Sequence, residues 1–225
     1  KYHHHKVLNN LNMTIKKGAI YGLVGRNGAG KTTLIRIITG LQSPTNGYYE
    51  LFNISSKNKK ITELRKDVGA IIERPSLIEN MTAKENILEQ LKLVGIHQFN
   101  NINNLLELVG LSNTNNKQVK NFSLGMRQRL GIAVALCSNP KFIILDEPIN
   151  GLDPEGIIDI RKLIQKLNKE KGITFLISSH YLDELSKIAT DYGFINKGQI
   201  IKEISAEEFN SNKHNQIKII VDNPE

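Results

Sequence analysis

Runs of consecutive apolar residues alternate along this chain with stretches in which apolar positions recur every three or four residues. Ala19–Val24 (Ala-Ile-Tyr-Gly-Leu-Val) is such a run and reads as a buried strand. After it, Leu34, Ile35, Ile37 and Ile38 give an apolar helix that stops at Gly40. Gly47–Phe52 and Val68–Ile72 read as further strands. The segment from about Ala83 to Leu136 reads as predominantly helical. Its first helix, Ala83–Leu91, has Thr82 as cap and Glu85 to complete a capping box. Asn103–Val109 follows, ending at Gly110, and a third helix begins near Ser123. Strand character returns at Phe142–Asp146 and Thr174–Ser178. Tyr192–Asn196 and Gln199–Ile204, joined by Lys197-Gly198, then form a hairpin. The pattern predicts an α/β fold, a sheet with helices on its faces, into which a helical block is inserted. The polar stretch Ser112–Asn121 is the expected hinge loop of that block.

Composition bounds the chemistry. A chain of 225 residues fits one domain, with room for a subdomain and a substantial core. The single cysteine, Cys137, excludes an intrachain disulfide, fits a reducing compartment and reads as a small core residue. No apolar run approaches the length of a membrane span, and no signal peptide is visible. The first residue is Lys1, so a trimmed N-terminus is expected. The formal net charge of +8 comes from scattered lysines without a basic, aromatic-interleaved stripe. Solvated surface is the better reading of that charge, with proximity to an anionic membrane second.

Three segments carry chemistry. Gly25-Arg26-Asn27-Gly28-Ala29-Gly30-Lys31-Thr32 is a full match to the phosphate loop, and it lies between a strand and a helix. Its glycines let successive backbone N–H groups point at phosphate oxygens. Lys31 is placed to reach the terminal phosphates of a nucleoside triphosphate, and Thr32 to hold magnesium. Phe142-Ile143-Ile144-Leu145-Asp146-Glu147 is a buried strand whose tip emerges as two acids. Asp146 suits magnesium, and Glu147 the polarisation of an attacking water. Finally, Ser123 and Gly125 open an amphipathic helix in Phe122–Arg129, which is a second anion-binding helix end. Two phosphate grips and one nucleotide site in a single chain suggest that each grip serves a different half of a dimer.

Together these motifs resemble the nucleotide-binding domain of an ATP-binding cassette (ABC) transporter, over essentially the whole chain. The resemblance implies a P-loop NTPase core with a parallel sheet, an antiparallel β-subdomain and an inserted helical subdomain. It implies one ATP-binding domain, with core residues about 1–73 and 141–225 and helical residues about 74–140. By the same resemblance, Asn150-Gly151-Leu152-Asp153 is a loop that crosses a dimer interface. His180 is the residue that senses the terminal phosphate, and Tyr2 the aromatic that stacks on adenine. Gly25, Asn27, Gly28, Gly30, Lys31, Thr32 and Thr33 bind the nucleotide within one copy, while Ser123 and Gly125 bind the one held by the other copy. Magnesium falls to Thr32, Asp146 and Glu73. The implied partners are a second copy and integral membrane permease subunits at the cytoplasmic face of the cell membrane, without nucleic acid.

Two departures shape the expectation. The family's signature usually reads Leu-Ser-Gly-Gly-Gln, whereas here it is Phe122-Ser123-Leu124-Gly125-Met126. Glu73, in Ile72-Glu73-Arg74-Pro75, stands where the family has a glutamine that ligates magnesium and hinges the helical part. A glutamate there resembles the ATP-binding subunits of lantibiotic immunity exporters. The expected function is therefore ATP hydrolysis, with Glu147 and His180 catalytic, that powers export of an antimicrobial peptide or related drug. Two rivals are a soluble ABC ATPase acting on nucleic acid or ribosomes, and a small-molecule kinase. The first generally carries coiled-coil insertions or two cassettes in one chain. The second gives no role to Ser123–Met126 or His180.

Overall fold

A computed structural model describes residues 6–96 and 101–213. Its centre is a six-stranded sheet built from β1 (Ile20–Val24), β4 (Val68–Ile71), β5 (Phe142–Asp146), β6 (Thr174–Ser179), β7 (Asp191–Asn196) and β8 (Gln199–Ser205). The order across the sheet is β4-β5-β6-β1-β7-β8, and every pairing is parallel except β7–β8. β1, β5 and β6 are buried along their whole length, which is why each reads as an unbroken apolar run.

Alternate side chains of these strands enter two different cores. Ile20, Ile143, Leu145, Phe175 and Ile177 face one core, and Tyr21, Leu23, Phe142, Ile144 and Leu176 the other. The second core is closed by α1 (Lys31–Ile38) through Leu34, Ile35 and Ile38. The first is shared by α3 (Ala83–Leu93), α4 (Ile102–Leu108), α5 (Leu124–Leu136) and α6 (Pro154–Lys171). Short helices α2 (Ile61–Leu64) and α7 (Leu182–Leu185), and α8 (Ala206–Lys213), are the remaining α-helices among the described residues. α5 comes very close to the sheet because Gly69 of β4 faces the Ala135 carbonyl and Gly131 of α5 faces Pro75. A side chain at either glycine would overlap these atoms.

Most elements fall where the pattern predicts. Thr82 caps α3 in a full capping box with Glu85, and Ser123 caps α5. The β7–β8 hairpin turns on Lys197 and Gly198, at φ 45 and 76, as a primed turn requires. Two expectations are corrected, and one helix is added. The strand expected at Gly47–Phe52 is reduced to β2 (Glu50–Leu51), paired antiparallel with β3 (Ile54–Ser55), because Phe52 and Asn53 take φ 52 and 65 and turn the chain. The antiparallel β-subdomain is therefore two short strands.

Next, Ser112–Asn121 is not a free hinge. It contains two single-turn helices, Ser112–Thr114 and Val119–Asn121, and Val119 is buried. Val119 N donates to Met81 O at 2.9 Å, Lys120 N to Glu79 O at 2.9 Å and Gln118 Nε2 to Asn80 O at 2.9 Å, so the loop is tied to 79–82. Arg127 adds a further tie, with Nη1 3.0 Å from Glu79 Oε1 and Nη2 2.9 Å from Lys120 O. Lastly, α6 was not anticipated. Asp153 caps it by accepting from Gly156 N at 3.2 Å, Pro154 opens it, and Gly172 at φ 64 ends it.

Candidate functional site

The site sits at the C-terminal ends of three neighbouring strands, where open α/β sheets bind ligands. Strand register sets its spacing: Val24 pairs with Ser179, and Asp146 with Ser178. One residue further on, Gly25 N donates to Ser179 O and Glu147 N to Ser178 O, each at 3.2 Å. The phosphate loop, the two acids and His180 are thereby brought together by backbone bonds across one sheet.

The loop after β1 has little freedom to change. Gly30 stands at φ 109 and Gly28 at φ 80, conformations that glycine adopts without strain. A side chain at Gly25 would run into the Ile195 carbonyl. The β7–β8 turn supports the loop from below, with Gly198 N donating to Ala29 O at 2.9 Å. Asn27 and Gly28 are exposed at the tip, and Thr33 is half-buried in the first turn of α1.

Lys31 is only 5% exposed, a rare state for a lysine. Its Nζ donates to Gly25 O at 2.6 Å and Arg26 O at 3.3 Å and lies 3.1 Å from Glu147 Oε1. Glu147 stands at φ 50, outside the regions that non-glycine residues favour, a cost that structures retain at functional positions. Its backbone N–H also donates to Ser178 Oγ at 3.0 Å, and its Oε2 lies 2.8 Å from His180 Nδ1. The Tyr181 ring packs 3.9 Å from the His180 ring. Thr32 Oγ1 donates to Asp146 Oδ2 at 2.8 Å, and Ser178 Oγ donates to Asp146 Oδ1.

These groups fit a nucleoside triphosphate with a hard divalent cation. Glu147 Oε1 is buried and accepts no hydrogen bond, beyond its ion pair with Lys31. The Thr32 hydroxyl and Asp146 carboxylate form an oxygen pair of the kind magnesium takes, usually shared with substrate phosphates. Among the described residues, no group of three or more His, Cys, Asp or Glu side chains is arranged to hold a metal ion by itself.

The helix start expected to be a second grip is separate. The Ser123 hydroxyl accepts from Met126 N at 3.2 Å at the start of α5. Gly125 has room for a side chain, because an added Cβ would meet only Leu152, at 3.9 Å. Among the described residues no neighbour requires a glycine there. Leu124 is exposed and leans on Gly151 of the Asn150–Asp153 loop.

A family profile described as ABC transporter matches residues 8–150. The chain belongs to the ABC transporter family. Among its curated relatives, the bacitracin transport ATP-binding protein BcrA of Bacillus licheniformis is 49% identical over 204 residues, covering 90% of this chain and 66% of that protein. The lantibiotic transport ATP-binding protein SrtF of Streptococcus pyogenes is 47% identical, covering 88% of this chain and 83% of that one. The chain spans just under two thirds of the length of the BcrA proteins, 66% and 65%. Among solved structures, a dimeric ATP-binding cassette in a post-hydrolysis state with ADP and Pi superposes with TM-score 0.79 at 28% identity, over 89% of this chain and 90% of that one. A nucleotide-free cassette from an ABC transporter gives TM-score 0.82 at 27% identity, over 94% and 90%.

Within this ABC transporter fold, the structure gathers Gly25, Gly28, Gly30, Lys31, Thr32, Asp146, Glu147 and His180. Glu73 is not among them: its Oε1 lies 2.8 Å from Arg36 Nη2, with the side chain 62% exposed. Tyr2 lies outside the described residues. One residue of the site carries no signal in the sequence. Ser178 orients both acids, and it stands out only as the residue before Ser179-His180 on a strand; its role needs the register with the partner strand.

Proposed function

We propose that this chain is the ATP-binding and hydrolysing subunit that powers export of an antimicrobial peptide or related drug through separate membrane subunits. The observation that carries it is the part-buried chain Lys31–Glu147–His180 at the tips of adjacent strands, beside Thr32–Asp146. Relatives named for bacitracin and lantibiotic transport support the cargo class.

In this reading Lys31 exchanges Glu147 and the loop carbonyls for the terminal phosphates. Glu147, released, orients and polarises the attacking water, while His180 stays hydrogen-bonded to the reacting end. Thr32 and Asp146 would hold magnesium, which supplies neutralisation of phosphate charge. Ser123 and Gly125 grip the nucleotide of a second copy, which accounts for the open space at Gly125. Residues 1–73 and 141–225 serve as core and 74–140 as helical subdomain, with the surface around Glu73–Met81 facing the membrane subunits. Among the described residues no helix is long and apolar enough to cross a membrane, and the proposal assigns passage of cargo to those partners.

Glu147→Gln should bind ATP, lose hydrolysis and accumulate as a dimer in size-exclusion chromatography. A monomer hydrolysing at the wild-type rate in saturating ATP would refute the assignment. Pull-down from membranes should recover an integral membrane partner; recovery of ribosomes or DNA instead would favour the soluble-ATPase rival.

A further inference from the structure

Glu73 leaves β4 at φ 61, in the left-handed region, and this turn points its carboxylate at Arg36. Arg36 follows Thr32 by four residues on α1, so both lie on one helix face, a turn apart. Thr32 is bonded to Asp146 and Arg36 to Glu73. One face of α1 thus holds two carboxylates at separate heights, the one at the strand tip and the one at the exit from β4.

We propose that Arg36 is a positioning residue for Glu73. It holds this carboxylate one helical turn away from Asp146 and Glu147, and yields it when Glu73 turns toward the Thr32–Asp146 pair. The inference rests on the ATP and magnesium reading of the site. Its physical basis is charge. Asp146 and Glu147 already face a polyphosphate with Lys31 as the buried cation, and a third carboxylate adds repulsion. An amide at position 73 would need no counter-ion, whereas a carboxylate does. The pair is also weak enough to exchange. Its side chains are 40% and 62% exposed, so water competes for both, whereas a buried pair would hold Glu73 fixed.

The test is the magnesium dependence of binding of a fluorescent ATP analogue, read without turnover, for wild type, R36Q, E73Q and the double variant. With Glu73 present, R36Q should lower the half-saturating magnesium concentration about two- to fivefold, the strength of an exposed pair expressed as an equilibrium constant. With E73Q in place, R36Q should change nothing. R36K, which keeps the charge, should stay near wild type, and thermal unfolding confirms that each variant folds. Equal shifts in both backgrounds, or none with Glu73 present, overturn the proposal. D146N separates the two levels. If it keeps the wild-type magnesium dependence, the reading of the site fails. If it loses that dependence while R36Q is silent, only the role of Arg36 fails.

Discussion

Lys31 Nζ and Glu147 Oε1 lie 3.1 Å apart with the lysine side chain 6% and the glutamate 18% exposed, so the lysine of the phosphate loop and the acid at the tip of β5 satisfy one another. Each compensates the other for leaving water, together with the Gly25 and Arg26 carbonyls on the lysine and His180 on the glutamate.

Removing one partner therefore exposes the other's cost. Lys31→Met should lower stability without nucleotide by about 1–3 kcal/mol, the penalty of a buried acceptor left unpaired. Adding Glu147→Gln should recover a substantial part of it. Thermal unfolding of the three variants checks this, and a fully additive loss in the double variant would show that the pair is not coupled.

Gly125 separates folding from function. Gly125→Ala meets Leu152 at an ordinary 3.9 Å and replaces a helical glycine, so the melting temperature should hold or rise. ATPase activity should nevertheless fall about tenfold or more, since a charged hydrogen bond is worth ~1.5–3 kcal/mol. Ser123→Ala, by contrast, should lose activity and ~1 kcal/mol of stability together, because its hydroxyl also caps α5.

The capping box of α3 gives a pH signature. Bonds from the Thr82 backbone N–H and hydroxyl hold Glu85 below its ordinary value of 4.5. A depressed carboxylate stabilises the fold above that value and loses its contribution as pH falls through the folded one. Amide exchange in the first turn of α3 should accordingly be flat from neutral pH to about pH 5 and accelerate below the ordinary value, once the intrinsic rate is divided out. Glu85→Gln should remove the pH step.

Cys137 should be silent. Burial pushes its thiol up to about 11, and its Sγ lies 3.5 Å from Ala133 O. A disulfide reagent at about pH 8 should leave it unmodified in the native protein and titrate it fully in denaturant.

Much of this architecture was legible because it rests on local rules. The phosphate loop, the Asp146–Glu147 strand, the Thr82–Glu85 box and the Lys197–Gly198 turn each depend on residues near one another in sequence. What escaped depends on pairing or on competing signals. Ser178 acquires its role only from its register with Asp146. α6 was hidden because Asn150–Asp153 read as an interface loop, although Asp153-Pro154 is also a helix start and Ile160, Leu163, Ile164 and Leu167 a buried stripe. The expected strand at Gly47–Phe52 had the right composition, but the left-handed backbone at Phe52 and Asn53 cut it short. Glu73 was singled out for its charge, and its partner lay on a helix that the sequence could not bring near.

The ties between Glu79 and the segment Lys120–Arg127 have a mechanical consequence. A loop that flexed freely would absorb a displacement arriving at 74–81 before it reached α5. Pinned by backbone bonds and by Arg127, whose own helix is capped by Ser123, this segment behaves as a stiff lever. Movement imposed at one end arrives at the serine with little lost on the way.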